Sequence, residues 1–225
     1  MTMKAMHLIS TLSLLAPAVV YAEPESISAS SDVDHYVAPV KDAFEISIGT
    51  GYSQSAGKVG GGMRNLEDLS GPGGAIELDL GYRVIPNLTL GAYGTFSKYQ
   101  NGDSVDSSTD VLGATAGVQA AWHFRPEMSL DPWVSLGGGW KGVWLNPSQG
   151  KVTSLQGLEL ARLQVGLDYR VSPDVSISPV IGGSLGMFLQ EDSPMTNGYT
   201  DIGSKKANFT GFAGLAGRFD VGGKR

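Results

Sequence analysis

From residue 44 to residue 221 the chain alternates apolar and polar positions through eight segments, at 44–54, 74–84, 88–96, 111–124, 133–144, 158–171, 175–190 and 208–221. In the second segment Ile76, Leu78, Leu80, Tyr82 and Val84 share one parity, and Glu77, Asp79, Gly81 and Arg83 the other. The sixth sets Leu163, Val165, Leu167, Tyr169 and Val171 against Arg162, Gln164, Gly166, Asp168 and Arg170. Successive side chains of a strand point to opposite faces, so each segment reads as a strand with one oily face and one polar face. A bilayer-crossing strand needs about 9–11 residues of this alternation, and every segment reaches that length.

The connections decide how these strands are arranged. Short ones at 85–87, 125–131 and 172–174, each carrying Pro, alternate with long ones at 55–73, 97–110, 145–157 and 191–207. Short periplasmic turns and long external loops are the habit of outer-membrane barrels. The expected fold is therefore all-β, an eight-stranded antiparallel up-and-down transmembrane β-barrel, with its oily parity facing lipid. The opposite arrangement, a soluble lipocalin-like barrel, would turn the charged parity to solvent and the oily one inward.

With the strands so oriented, the inward parity carries Arg83, Lys141, Arg162, Arg170 and Arg218 together with Glu45, Glu77, Asp79, Asp168 and Asp220. Five cations face five anions, and buried charges persist only when paired or wetted. Inward glycines at 113, 117, 137, 139, 182, 186 and 214 leave room for long Arg and Lys side chains. Eight strands enclose only enough space for side chains to fill, so the expectation is a polar plug and not an open channel. Aromatic residues fall at the strand ends. Phe44, Tyr82, Trp122, Phe124, Tyr169 and Phe219 mark the periplasmic side, and Tyr52, Phe96, Trp140 and Trp144 the outer side, as two interfacial girdles.

Composition narrows the function classes. After the N-terminus no run of 18 apolar residues occurs, which leaves no transmembrane helix to predict. The chain has no cysteine, so disulfides, thiolate metal sites and a Cys nucleophile are excluded. A formal charge of −6 argues against a nucleic-acid partner. Residues 1–22 combine Lys4, an apolar stretch and a small-residue exit at Ala22, the layout of a secretory signal peptide cleaved after Ala22. Residues 23–43 are polar, with Pro24 and Pro39, and read as a flexible periplasmic segment ahead of the barrel domain at 44–225.

The signal peptide, the eight alternating strands, the Pro-bearing short turns and the closing strand at 208–219, ending in Phe219, together resemble small bacterial outer-membrane β-barrel proteins of the OmpA/OmpX type. The resemblance spans about four-fifths of the chain and is one of architecture, without a specific motif. It implies a Gram-negative outer-membrane location, contact with outer-membrane lipid, and reading of the last strand by the barrel-assembly machinery. In that family the terminal aromatic closes the chain, whereas Asp220–Arg225 follow Phe219 here. Members serve as anchors, adhesins, porin-like narrow pores or lipid-modifying enzymes, and fold alone does not choose among them.

Two strings suggest chemistry. Residues 137–142 match G-x-G-x-x-G, but a strand continues through them where a phosphate site needs a helix N-terminus. Residues 182–186 match G-x-S-x-G around Ser184, but the mature chain offers only His35, in the lead-in, and His123, which reads as a residue of the periplasmic rim. Asp103, Asp106 and Asp110 form an acidic loop and are expected to be solvated. No catalytic residue, metal site or cofactor is assigned. The reading is a non-enzymatic scaffold that presents external loops for recognition or adhesion. A narrow pore for ions or small solutes is the alternative, and an outer-leaflet lipid enzyme the third reading.

Leu167 sits on the lipid parity near mid-span. Leu167→Arg is expected to destabilise the barrel by about 2–4 kcal/mol in a bilayer unfolding titration. A variant as stable as the parent would overturn the assignment of faces.

Overall fold

A computed structural model describes residues 34–61, 65–195 and 198–225; the expected signal peptide and the start of the lead-in lie outside the described residues. Nine strands are found among them: β1 (Ala43–Gly57), β2 (Ser70–Ile85), β3 (Leu88–Asn101), β4 (Asp110–His123), β5 (Leu130–Asn146), β6 (Thr153–Ser172), β7 (Val175–Asp192), β8 (Thr200–Asp201) and β9 (Ala207–Val221). Eight of them form a closed antiparallel barrel, each paired with the next from β1 to β7, then β7 with β9 and β9 with β1. β8 pairs only with the outer end of β7, through Gln190 with Asp201 and Glu191 with Thr200. Closure satisfies the ladder on every strand, which a sheet crossing lipid requires.

The outer face is oily. Ile48, Leu78, Leu80, Val118, Leu136, Val165, Leu167, Ile181 and Leu215 are all exposed. The inner face buries Glu45, Glu77, Arg83, Lys141, Arg162, Asp168, Arg170 and Arg218. This polarity is the inverse of a soluble barrel, and an apolar belt of such extent is far beyond what a water-facing surface carries.

At their outer ends the strands run further than the alternation indicates. β6 alone has 20 residues. The outer connections shrink from 55–73, 97–110, 145–157 and 191–207 to 58–69, 102–109, 147–152 and 193–206, the last containing β8. Register continues through Ser55 with Thr210, Ala56 with Phe209 and Gly73 with Tyr99. Beyond the bilayer a ladder needs hydrogen bonds but no oily face, so its upper reach leaves no alternation in the sequence.

β6 also breaks its own parity. Gly137 pairs with Arg162 and Gly139 with Glu159, so β6 carries one residue more than β5 across this step; opposite β7 the extra residue falls between Glu159 and Ala161. This bulge turns both Glu159 and Arg162 inward, three residues apart, while Leu158, Leu160 and Leu163 stay exposed.

The lead-in, expected to be flexible over 23–43, makes specific contacts over its described part. Asp34 pairs with Arg125 at 2.8 Å and accepts the Leu130 N–H at 3.2 Å. The His35 carbonyl accepts the Ser129 N–H, and the Val37 N–H donates to the Glu127 carbonyl, each at 2.8 Å. Lys41 and Lys224 exchange backbone hydrogen bonds, and Val40 is buried between them and the barrel end. Residues 34–42 thus form a strap along the end that holds the short turns, where the composition alone shows only a polar stretch.

Candidate functional site

The lumen is organised in three tiers. At the end with the short turns, Arg83 is 1% exposed, donates to Glu45 and lies 3.5 Å from Asp220. A third contact of Arg83 runs to the Pro86 carbonyl at 3.1 Å, tying the lumen to the β2–β3 turn. Arg218 pairs with Asp168 at 3.1 Å and approaches Glu45 at 3.6 Å, and its guanidinium lies 4.5 Å over the Trp133 ring. Trp133 in turn donates its indole N–H to Asp168 at 2.9 Å and to Ser178 at 3.0 Å. Arg170 completes the tier, 4.0 Å from Asp131.

His123 is part of this tier and not of the rim. It is 0% exposed, with Nδ1 2.7 Å from Asp131 and Nε2 3.1 Å from an Arg218 nitrogen. Arginine only donates, so Nε2 accepts and the proton sits on Nδ1, directed at Asp131. His123, Asp131 and Asp168 are also close enough together to be considered as metal ligands. Arg218 occupies the space against Nε2 and bonds Asp168, so the donor set is already neutralised by protein cations. The sequence parity that puts Trp122 and Phe124 outward places His123 inward, and the same reasoning carries Asp131 and Trp133 in from β5.

The middle tier centres on Arg162, paired with Glu77 at 2.5 Å, donating to Thr95 at 3.1 Å and stacked 4.3 Å over the Tyr93 ring. Gln164 donates to both Glu77 oxygens at 3.2 Å, and Tyr93 donates its hydroxyl to Glu159. Lys141 reaches Asn208 at 2.7 Å and lies 5.2 Å from the Phe188 ring centre. Asp79 faces the small space between the tiers, beside Glu45 and Arg218. Inward glycines make this crowding feasible. A Cβ at Gly117 would meet the Tyr93 hydroxyl at 2.6 Å, and one at Gly186 would meet the Lys141 chain at 2.6 Å. Tyr93 shares the inward parity of Thr89 and Thr95, whereas Glu159 escapes a parity reading because of the bulge. Its trace in the sequence is the pair of polar residues three apart, Glu159 and Arg162, within an otherwise alternating run.

The outer mouth departs most from the expected polar plug. Above the middle tier, beside the buried Ser53 and Ser55, Tyr99, Val111, Val143, Leu155 and Phe188 form an apolar cluster. Val59, Leu66 and Leu69 from the β1–β2 loop and Ile202 from beyond β8 pack onto them, with Leu66 0% exposed. The stopper is held by the Leu66 N–H donating to the Gly57 carbonyl at 2.6 Å, Gly57 N–H to Glu67 at 2.9 Å and Ser104 N–H to the Asp68 carbonyl at 2.9 Å. Between stopper and middle tier lies a cavity of about 50 Å³ lined by Lys141, Glu159, Arg162, Ser184 and Thr115 among others, room for a few waters.

The aromatic residues stand on the outer wall at two levels. Phe44, Tyr82, Trp122, Phe124, Tyr169 and Phe219 are exposed at the short-turn end, Phe44 and Tyr82 meeting edge to face at 5.4 Å. Tyr52 and Phe96 are exposed towards the other end, where Trp140 and Trp144 pack at 5.8 Å across Gly142. Gly142 therefore serves ring packing within a continuous strand. Ser184 faces the cavity in the middle of the barrel, while His123 lies in the tier at its short-turn end, bonded to Asp131 and Arg218. In the acidic loop Asp110 pairs with Lys98 at 2.8 Å, and the Asp106 carboxyl is held below its ordinary range by the Ser108 N–H and hydroxyl.

No protein-family model matches the sequence, and no curated protein matches it either. Among solved structures the chain is similar to Neisserial surface protein A, at 15% identity and a TM-score of 0.52, covering 78% of this chain and 96% of that one. Lower-scoring likenesses include the outer membrane protein OprG from Pseudomonas aeruginosa (12% identity, TM-score 0.48, 80% and 98% covered) and the attachment invasion locus protein of Yersinia pestis (16%, 0.42, 80% and 99%). What is shared with the first is the fold, over nearly its whole length.

Arg162→Leu removes the cation that faces Glu77 in the lumen and leaves it the Gln164 amide. A loss of about 3–5 kcal/mol is expected in urea unfolding of the bilayer-inserted protein. Adding Glu77→Leu should recover part of it. Full stability of the single variant, accompanied by ion leakage, would mean that water and not protein solvates this tier.

Proposed function

We propose that the protein is an integral barrel of the bacterial outer membrane, exported with cleavage after Ala22, that acts as a closed, non-enzymatic scaffold. Its external loops are the recognition or adhesion surface. The observation that supports this best is double closure of the lumen: charge tiers whose long side chains cross to opposite strands, and an apolar stopper above them. A path for ions would have to break both. The exposed apolar wall, the aromatic levels and the likeness in fold to a surface protein support the location.

Double closure also divides the loops. Loop 58–69 spends Val59, Leu66 and Leu69 inside the mouth, so recognition falls mainly to 102–109, 147–152 and 193–206. The last two are clasped by Lys151, which donates to Asp192 at 2.5 Å and to the Ser193 carbonyl at 3.3 Å, and by Tyr199, 3.2 Å from the Ser154 hydroxyl. They present Val152, Met195 and Tyr199 to the outside, Met195 being 99% exposed. Large exposed side chains on loops fixed by a rigid body are the usual material of a binding surface.

Single-channel recording of residues 23–225 refolded into a planar bilayer tests the scaffold reading. The parent is expected to be silent. Discrete, reproducible openings in the parent would replace the scaffold by a narrow pore. Leu66→Ser combined with Leu69→Ser should leave the barrel silent too, because the charge tiers below remain closed.

A further inference from the structure

The strap at 34–42 does more than cover backbone. Between it and the β6–β7 turn runs a groove of about 550 Å³, lined by His35, Tyr36, Val37, Tyr169, Val171 and Arg225, among others. Its size is that of a small-molecule site, typically about 300–1,000 Å³. One wall is oily and belongs to the lipid face, since Tyr169 and Val171 share the outward parity of Leu163, Val165 and Leu167 and are exposed like them. The other wall is the strap, which holds the Tyr36 ring 69% exposed while its backbone is pinned by the bonds of Asp34, His35 and Val37 to the 125–130 turn. An exposed aromatic ring that shares this groove with Tyr169 suits a membrane–water boundary, where such rings are favoured.

An ion pair borders the groove, one partner lining it and the other just beyond the lining residue Pro173. Arg225 lines the groove and donates to Asp174 at the tip of the β6–β7 turn, both side chains partly open to solvent. A guanidinium matches a phosphate through two parallel N–H donors, and a carboxylate accepts from a primary ammonium. An exposed ion pair is weak, so exchanging its partners for a ligand's opposite charges demands little. The pair complements a headgroup that carries phosphate and amine together.

We propose that this groove holds the headgroup of one phospholipid from the periplasm-facing leaflet, of the zwitterionic, primary-amine class. Its phosphate lies at Arg225, its ammonium at Asp174, and its acyl chains run along Tyr169 and Val171. The proposal rests on the bilayer-spanning reading above, which it extends from general lipid contact to one specific lipid.

The test is native mass spectrometry of the protein released from nanodiscs containing equal amounts of phosphatidylethanolamine, phosphatidylglycerol and phosphatidylcholine. The parent is expected to retain one lipid, phosphatidylethanolamine ahead of the other two. Asp174→Asn should lower that preference about two- to fivefold, whereas Arg225→Gln should lower retention of all three lipids, which share the phosphate. Tyr36→Ala should reduce retention of all three while keeping their order. Retention without headgroup preference, phosphatidylglycerol ahead in the parent, or a preference that survives Asp174→Asn would each overturn the proposal. Circular dichroism and heat-modifiable migration of the same samples separate the two readings. A barrel that is inserted and folded but holds no lipid defeats this site alone, whereas a chain that fails to insert defeats the membrane reading itself.

Discussion

Everything in this structure depends on one constraint: a backbone that crosses lipid must find all its hydrogen-bond partners within itself. A sheet meets that demand only by closing. Closure is made where β9 pairs with β1 over fourteen consecutive residues, from Phe44 with Val221 to Gly57 with Asn208. Once the ring is shut, each strand has an inside and an outside, and the solvent on each side dictates composition. Lipid takes the leucines, isoleucines and valines. The charges go in.

An eight-stranded ring leaves no space to solvate those charges generously, so they must answer one another. The answer is layered. Arg83, Arg218, Glu45, Asp168 and the His123–Asp131 pair compensate one another at the short-turn end, while Arg162, Glu77, Tyr93 and Glu159 do so at mid-height. Arginines lie over Trp133 and Tyr93, so aromatic faces supply part of the compensation that carboxylates alone would otherwise provide. Removing one partner of such a pair is far more damaging than never having built it. The pairs therefore tie strands to one another across the lumen as well as around it.

The two ends of the barrel are finished differently, and each by a segment outside the strands proper. At the outer end a loop folds back to fill the mouth with Leu66 and Leu69, so the hydrophobic core of this protein is a small cluster at one end and not the middle of the fold. At the other end the strap lies along the rim and adds Tyr36 to the wall. Both devices use backbone hydrogen bonds to hold apolar side chains, inward in one case and outward in the other.

Alternation alone was enough to determine the strands, their faces, the closed ring and most of the inward charges, because a side-chain period of two is enforced wherever one face meets lipid. Ile76 to Val84 and Leu163 to Val171 show this directly. What only the tertiary structure decided is whatever that period does not govern. The bulge that turns Glu159 inward is a property of three strands in register. The reach of the strands beyond the bilayer is written in hydrogen bonds and not in hydrophobicity. The stopper joins Leu66 to Phe188 and the strap joins Asp34 to Arg125, contacts across more than ninety residues in each case, which a local pattern has no means of recording.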